Sequence, residues 1–202
     1  STEEAVAALA EHGPGIRILA GGTDLLVDLK HAGQSPGVVM DVSGIDDLGA
    51  ISVDDDGLHI GAGATHTAIM TDPLIAEHAP AMIDAAHTVG AVQTRNLGTI
   101  GGNLVTCVPS MDSGPVLVAL EADVILAGAS GIRRLALTEF FVGPRKTILA
   151  AGEMLVDIVI PKANLGKPAG FIKFGLRKGQ ALALVNAASA AWIEDGKFAA
   201  PR

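Results

Sequence analysis

Residues 93–104 constrain this chain more than any other stretch. Gly98, Gly101 and Gly102 stand there among Thr94, Asn96, Thr99 and Asn103, between two hydrophobic segments. Glycine permits positive φ and lets a ligand reach main-chain N–H groups with no Cβ in the way. Consecutive amides make a concave anion site, and the neighbouring hydroxyl and amide side chains add directed hydrogen bonds. A glycine-rich turn without a ligand is the plain alternative. A second stretch of the same kind, Leu19-Ala20-Gly21-Gly22-Thr23-Asp24-Leu25-Leu26, decides between them. It follows the apolar run Ile16–Leu19 and opens a helical pattern over residues 24–31, so free helix N–H groups and the helix dipole favour a phosphate there. Two such segments in one chain point to one extended phosphorylated ligand held at two places.

The elements around these segments read as α+β. Ser1 and Glu4 have capping-box spacing, Ala5, Val6, Leu9 and Ala10 form an apolar stripe, and Gly13-Pro14-Gly15 ends the helix. Thr23 is placed to cap the next helix and Gly33 to end it. Residues 38–42 read as a strand, which completes a β-α-β unit with a parallel pair. Asp54-Asp55-Asp56-Gly57 is a hairpin turn between residues 51–53 and 58–60. Helices are expected over residues 65–71 and 80–88, separated by an Asp72-Pro73 break, and over residues 115–120. A capped short helix is expected at residues 138–144. Strands are expected over residues 123–126, 132–137, 154–160 and 171–176. The apolar run 181–193 fits strand or helix equally.

Composition removes several function classes. With 49% apolar and 18% charged residues over 202 positions, disorder is excluded and a sizeable core is available. Gly, Asp and Pro interrupt every apolar run before it reaches membrane-spanning length. The formal net charge of −8, with no basic stripe interleaved with aromatics, argues against nucleic acid as a partner. Cys107 is the only cysteine, so the chain has no internal disulfide and no cysteine cluster for zinc or iron–sulfur. The single cysteine points to a reducing compartment, and a cytoplasmic location is expected. The six histidines show no metal-ligand spacing and most are expected to face solvent, and residues 54–56 lack the later carboxylates of a calcium loop. Cys107 reads as a small buried apolar residue, Arg95 as a brace for the glycine segment, Leu155 as core. Asp112 could cap the helix after it, and Lys173 could snorkel from a strand.

Taken together, residues 18–26 and 90–103, Pro109-Ser110-Met111-Asp112 with Pro115, residues 119–122, Gly152-Glu153-Met154-Leu155 and Phe171-Ile172-Lys173-Phe174 resemble the FAD-binding medium subunit of the molybdenum hydroxylases. That family includes the carbon monoxide dehydrogenase flavoprotein subunit and the xanthine dehydrogenase flavin domain. The resemblance implies the PCMH-type FAD-binding fold, with an N-terminal subdomain over 1–45, a second over 46–168, and the beginning of a C-terminal domain over 169–202. It also implies a chain shortened at both ends. No Gly-x-Gly-x-x-Gly is present, so a Rossmann fold is not implied.

By the same resemblance, the cofactor-binding residues are Leu19, Ala20, Gly21, Gly22, Thr23, Asp24, Leu25, Thr99, Gly101, Gly102, Asn103, Thr106, Ser110, Asp112, Leu155 and Lys173. Amides of residues 20–24 and 101–103 serve the FAD pyrophosphate, Thr99 joins that cradle, and Thr106 lies near the ribityl chain. Asp112 accepts from the adenosine ribose, Leu155 packs near the isoalloxazine, and Lys173 lies at its polar edge. No catalytic side chain and no resident metal are implied. The implied function is electron transfer within a heterotrimer. A large subunit carries the molybdenum cofactor, a small subunit carries iron–sulfur clusters, and an external acceptor such as NAD, a quinone or oxygen takes the electrons. The alternatives are a self-sufficient FAD oxidoreductase, a non-catalytic module that has lost FAD, and a phosphate-binding regulatory domain.

Overall fold

The computed structural model describes residues 1–32 and 36–202. Helix α1 (Thr2–His12) starts from the capping box read in the sequence: the Ser1 hydroxyl accepts from the Glu4 amide while Glu4 reaches back to the N-terminus. Its buried Ala5 and Leu9 pack with Ile16, Val42, Leu48 and Met154 in a small apolar cluster. Strand β1 (Ile16–Leu19) leads through the first glycine segment into α2 (Leu25–Ala32), and β2 (Val38–Asp41) returns parallel to β1 in register Ile16 to Val38. The β-α-β reading thus stands, with one change. The Leu26 amide bonds to the Gly22 carbonyl, and among the described residues the Thr23 hydroxyl caps no amide of α2. The expected stop at Gly33 lies outside the described residues.

A five-stranded antiparallel sheet carries the larger core. It comprises β3 (Ile51–Val53), β4 (Gly57–Gly61), β5 (Asp123–Gly128), β6 (Gly131–Ala136) and a long strand at Glu153–Pro161, in the order β3-β4-long strand-β5-β6. Leu58, Ile60, Val124, Leu126, Ile158 and Ile160 point from this sheet into a fully buried layer. Helices cover that layer: α3 (His66–Thr71), α4 (Pro73–His78), α5 (Ala81–Thr88), α6 (Val92–Leu97), α7 (Ile100–Thr106) and α8 (Ser113–Ala119). Ile69, Ile75, Met82, Ile100, Leu104 and Leu117 meet the sheet from this side. Burying a side chain of this size stabilises the fold by about 1.5–3 kcal/mol each.

Three expectations change. The Asp72-Pro73 break ends α3 at Thr71 as expected, but it also opens a helix not expected before residue 80: Asp72 caps α4 through the Leu74 and Ile75 amides, and Pro73 takes the first helical position, where its missing N–H costs nothing. Residues 93–104 are not an open loop but α6 and α7 joined at Gly98 and Thr99. The short helix α9 (Leu137–Phe140) has no side-chain cap and runs directly into β7 (Phe141–Gly143), which pairs with β8 (Lys146–Thr147). The long strand is β9 in chain order. After it, β10 (Ala169–Gly175) and β11 (Ala183–Ala190) form an antiparallel ribbon that packs on α5 and α8, followed by the hairpin β12 (Trp192–Glu194) and β13 (Lys197–Ala199). The ambiguous run 181–193 is therefore strand.

Candidate functional site

The first glycine segment backs directly onto the junction of α6 and α7. A Cβ on Gly21 would lie 1.8 Å from the Leu97 carbonyl oxygen, so glycine alone lets the two segments meet. Gly22 has φ +70°, the left-handed region that glycine enters without cost. A Cβ on Gly101 would lie 2.6 Å from the Ala62 carbonyl oxygen, so the start of α7 sits just as closely on the chain leaving β4. These approaches enclose a cleft of about 890 Å³, within the usual range for a small-molecule or cofactor site.

Of the residues the sequence singled out, Ala20, Gly21, Gly22, Thr23, Asp24, Leu25, Thr99, Gly101, Gly102, Asn103, Thr106, Ser110, Asp112, Leu155 and Lys173 all line this one cleft. Leu19 does not; it is part of β1 and packs behind Gly22. The two glycine segments differ in what they offer. Among the described residues, the amides of Gly21, Gly22, Thr23 and Asp24 donate to no protein acceptor. Those of α7 are committed: Gly101 to the Ala62 carbonyl at 2.8 Å, Gly102 to the Thr99 hydroxyl at 3.1 Å and Asn103 to the Thr99 carbonyl at 3.0 Å. Four consecutive free N–H groups opening a helix form an anion cradle. The α7 segment instead builds the wall that holds the cradle in place.

At another part of the cleft the ammonium of Lys173 sits 2.5 Å from the Asp112 carboxylate, and both side chains are nearly buried. Asn186 donates to the other Asp112 oxygen at 3.1 Å, and Lys173 also donates to the Thr88 carbonyl at 3.0 Å. Asp112 therefore does not cap α8, although it precedes that helix, and Lys173 does not reach into solvent. The sequence reading set Asp112 and Lys173 at different parts of the ligand; the structure joins them. Arg95 braces the segment through the Val89 carbonyl at 3.0 Å, as expected. Leu155 is both core and cleft wall. Cys107 is buried, its thiol donating to the Gly143 carbonyl at 3.3 Å.

Three of the six histidines depart from the solvent-facing expectation, His78 being half-buried on α4. His59 is held by Asp157 at 2.6 Å and Asp54 at 3.2 Å on the sheet, away from the cleft. Burial lowers its pKa, but the bonds to these carboxylates outweigh that and leave it raised. Asp157 is raised by its own burial, which the His59 bond offsets only in part. His66 is 2% exposed and lines the cleft. Burial pushes its pKa down to about 4, the attraction of Asp112 being too small to compensate. The sequence offered one hint of it, a histidine directly after the cap Thr65 in a run of small residues. Asn186 gave no signal, because its role depends on the pairing of β10 with β11.

Residues 1–163 match a family model described as the FAD binding domain in molybdopterin dehydrogenase. The nicotinate dehydrogenase FAD-subunit of Eubacterium barkeri is 36% identical over 181 residues, covering 88% of this chain and 61% of that protein. Among solved structures, quinoline 2-oxidoreductase from Pseudomonas putida 86 superposes with a TM-score of 0.92 at 32% identity, over 100% of this chain and 70% of that one. Carbon monoxide dehydrogenase from Hydrogenophaga pseudoflava, in a form lacking the Mo-pyranopterin moiety, gives 0.94 at 29% identity, over 100% and 70%. The chain thus spans about 61% of the length of its first curated relative.

Proposed function

The chain belongs to the FAD-binding domains of molybdopterin dehydrogenases, and from that premise we propose that residues 20–24 hold the FAD pyrophosphate while the rest of the cleft positions the flavin for electron transfer. The observation that carries this reading is the row of unpartnered amides at Gly21, Gly22, Thr23 and Asp24, facing a cleft large enough for a dinucleotide. Thr99, Gly101, Gly102 and Asn103 support that turn from below. Ser110 and Thr106 line the path between phosphate and ring, and Leu155 supplies an apolar wall for the isoalloxazine. Because Asp112 is bonded to Lys173, the reading places both beside the polar ring edge, where a cation favours negative charge. The ribose contact then passes to other groups.

FAD, when bound, supplies the ability to take electrons singly and give them up as a pair. In this reading no side chain acts as acid, base or nucleophile; the chain binds, orients and tunes. The substrate is oxidised at a molybdenum cofactor in a large partner subunit, and iron–sulfur clusters in a small subunit feed the flavin. An external acceptor such as NAD, a quinone or oxygen drains it. In this reading residues 1–45 and 46–168 are the two FAD-gripping subdomains and residues 169–202 belong to a third, although Leu48 and Met154 pack in one apolar cluster with Ala5, Leu9, Ile16 and Val42. Among the described residues no helix is long and apolar enough to cross a membrane, which accords with a cytoplasmic complex.

Reconstitution tests the proposal. The FAD-loaded chain alone should leave nicotinate, quinoline and carbon monoxide, substrates named in its relatives, unoxidised. Its flavin should bleach only when molybdenum and iron–sulfur subunits and their substrate are added. Substrate oxidation by the chain unaided would overturn the electron-transfer reading.

A further inference from the structure

Strands β10 and β11 set two polar side chains on a face that is otherwise apolar. Lys173 and Asn186 stand directly opposite each other in the antiparallel register, so their side chains leave the ribbon on the same side. Phe171 and Ala188 share that side and pack on the core, while the alternate residues Ile172 and Phe174 face solvent. Each member of the polar pair takes one oxygen of the Asp112 carboxylate. The Lys173 ammonium donates to Oδ2 at 2.5 Å and the Asn186 amide to Oδ1 at 3.1 Å. The same Asn186 nitrogen also donates to the Met111 carbonyl at 2.8 Å. Turning the amide over would set its oxygen against both of these oxygens, so the partners fix its orientation.

Stability alone does not call for this arrangement. Taking a charged pair out of water costs about as much as the pairing returns, and apolar residues of similar volume often serve as well. What the arrangement fixes is how the carboxylate charge is shared. With Oδ1 held by Asn186, one oxygen alone faces the ammonium. Without Asn186 the carboxylate is free to turn both oxygens toward Lys173 and cancel more of its charge. Asp112 and Lys173 line the cleft and Asn186 does not, so any effect of Asn186 on a ligand there passes through Asp112.

We infer that Asn186 is a positioning residue that acts through Asp112, keeping the Lys173 charge only partly cancelled and so setting how strongly this part of the cleft favours a reduced, negatively charged flavin. This rests on the FAD reading above, which places the Asp112–Lys173 pair beside the polar ring edge. A less shielded ammonium attracts the anionic reduced ring more than the neutral oxidised one. The effect therefore falls on the reduction potential and not on the affinity for oxidised FAD.

The test measures the midpoint potential of the FAD-loaded chain by reductive titration against a reference dye, and the affinity for oxidised FAD by fluorescence quenching. Wild type is compared with Asn186→Leu, Asn186→Gln, Asp112→Asn and the double variant Asn186→Leu with Asp112→Asn. Asn186→Leu should lower the potential, a loss of about threefold or more in the preference for reduced over oxidised FAD, part of what one charged hydrogen bond is worth. Its affinity for oxidised FAD should stay within about twofold of wild type, less than a direct hydrogen bond would cost. Asn186→Gln should recover part of the shift. Asp112→Asn should raise the potential, and adding Asn186→Leu to it should change nothing further. An unchanged or raised potential in Asn186→Leu, or the same fall in both backgrounds, would overturn the inference. Equal weakening of oxidised and reduced FAD would show a merely structural role and overturn it too. If Asn186→Leu does not fold, Asn186→Val, better suited to a strand, is read in its place. If neither folds, ¹⁵N NMR of the wild-type Asn186 side-chain amide decides: a shift on flavin reduction supports the coupling, and no shift overturns it. A Lys173→Met chain with the wild-type potential, or a wild-type chain that takes up no FAD, would remove the underlying reading itself, an outcome distinct from a failed Asn186 effect.

Discussion

Gly21→Ala probes the joint on which the site depends. The added methyl group would stand 1.8 Å from the Leu97 carbonyl oxygen, 2.5 Å from its carbon and 2.9 Å from Gly98 Cα. Ordinary contact begins near 3.4 Å, so one of the two backbones must retreat by roughly 1.6 Å, the difference between 3.4 and 1.8. Neither side has a flexible side chain to absorb the shift. Overpacking of this kind costs about 1–3 kcal/mol, and here the displaced atoms belong to the cradle and its supporting wall. Gly22→Ala is the control: it meets side-chain atoms of Leu19 and Leu26 at 3.0 Å and carries the penalty of φ +70°, about 1–2 kcal/mol. Thermal unfolding and FAD titration of both variants read the result. Gly21→Ala should remain folded but lose at least tenfold in FAD affinity, more than its loss of stability alone would explain. A Gly21→Ala chain that binds FAD as tightly as wild type would refute the claim that this close approach shapes the phosphate turn.

Three further perturbations follow from charge. His66 binds its proton in the unfolded chain near pH 6.5 but in the fold only near pH 4. Stability should therefore fall as pH drops through that window, by about 3 kcal/mol in all; denaturant midpoints across pH should show His66→Phe losing this part of the acid slope, and an unchanged slope would contradict the burial argument. His59 runs the other way: its folded pKa is raised, so its contribution is full below pH 6.5 and fades as pH climbs through the folded value, a loss that His59→Gln should abolish. Lys173→Met leaves the Asp112 carboxylate buried with Asn186 alone and should cost about 3–5 kcal/mol in urea unfolding. Combining it with Asp112→Asn should restore most of that, and a double variant as unstable as the single would show the two groups are not coupled.

Local signals in the sequence carried much of the architecture. Strand β1, the parallel return at β2, the hairpin at residues 54–57 and the capping box of α1 each rest on neighbours within a few positions, and each is present in the structure. Residues 93–104 misled because glycine disfavours helix by about 1 kcal/mol each. What makes α7 helical lies elsewhere in the chain: the Ala64 and Ala62 carbonyls receive the Ile100 and Gly101 amides, and Ala62 leaves room for no Cβ at Gly101. The same distance problem hid the division of labour in the site. Both glycine segments look like amide donors in sequence, yet only the first keeps its amides free, because the second spends them on Ala62 and Thr99. Asp112 and Lys173 were named singly; their pairing needs β10 folded against α8. His66 was passed over because burial of a lone histidine leaves no periodic trace.

The most direct test of the account is the visible absorbance of the purified chain, followed by acid release and identification of any chromophore, with FAD added back if the chain is pale. The account predicts released, unmodified FAD approaching one per chain, or tight uptake of added FAD that Gly21→Ala impairs. A colourless chain that also refuses added FAD would contradict it, since the free amides of Gly21, Gly22, Thr23 and Asp24 would then serve no dinucleotide.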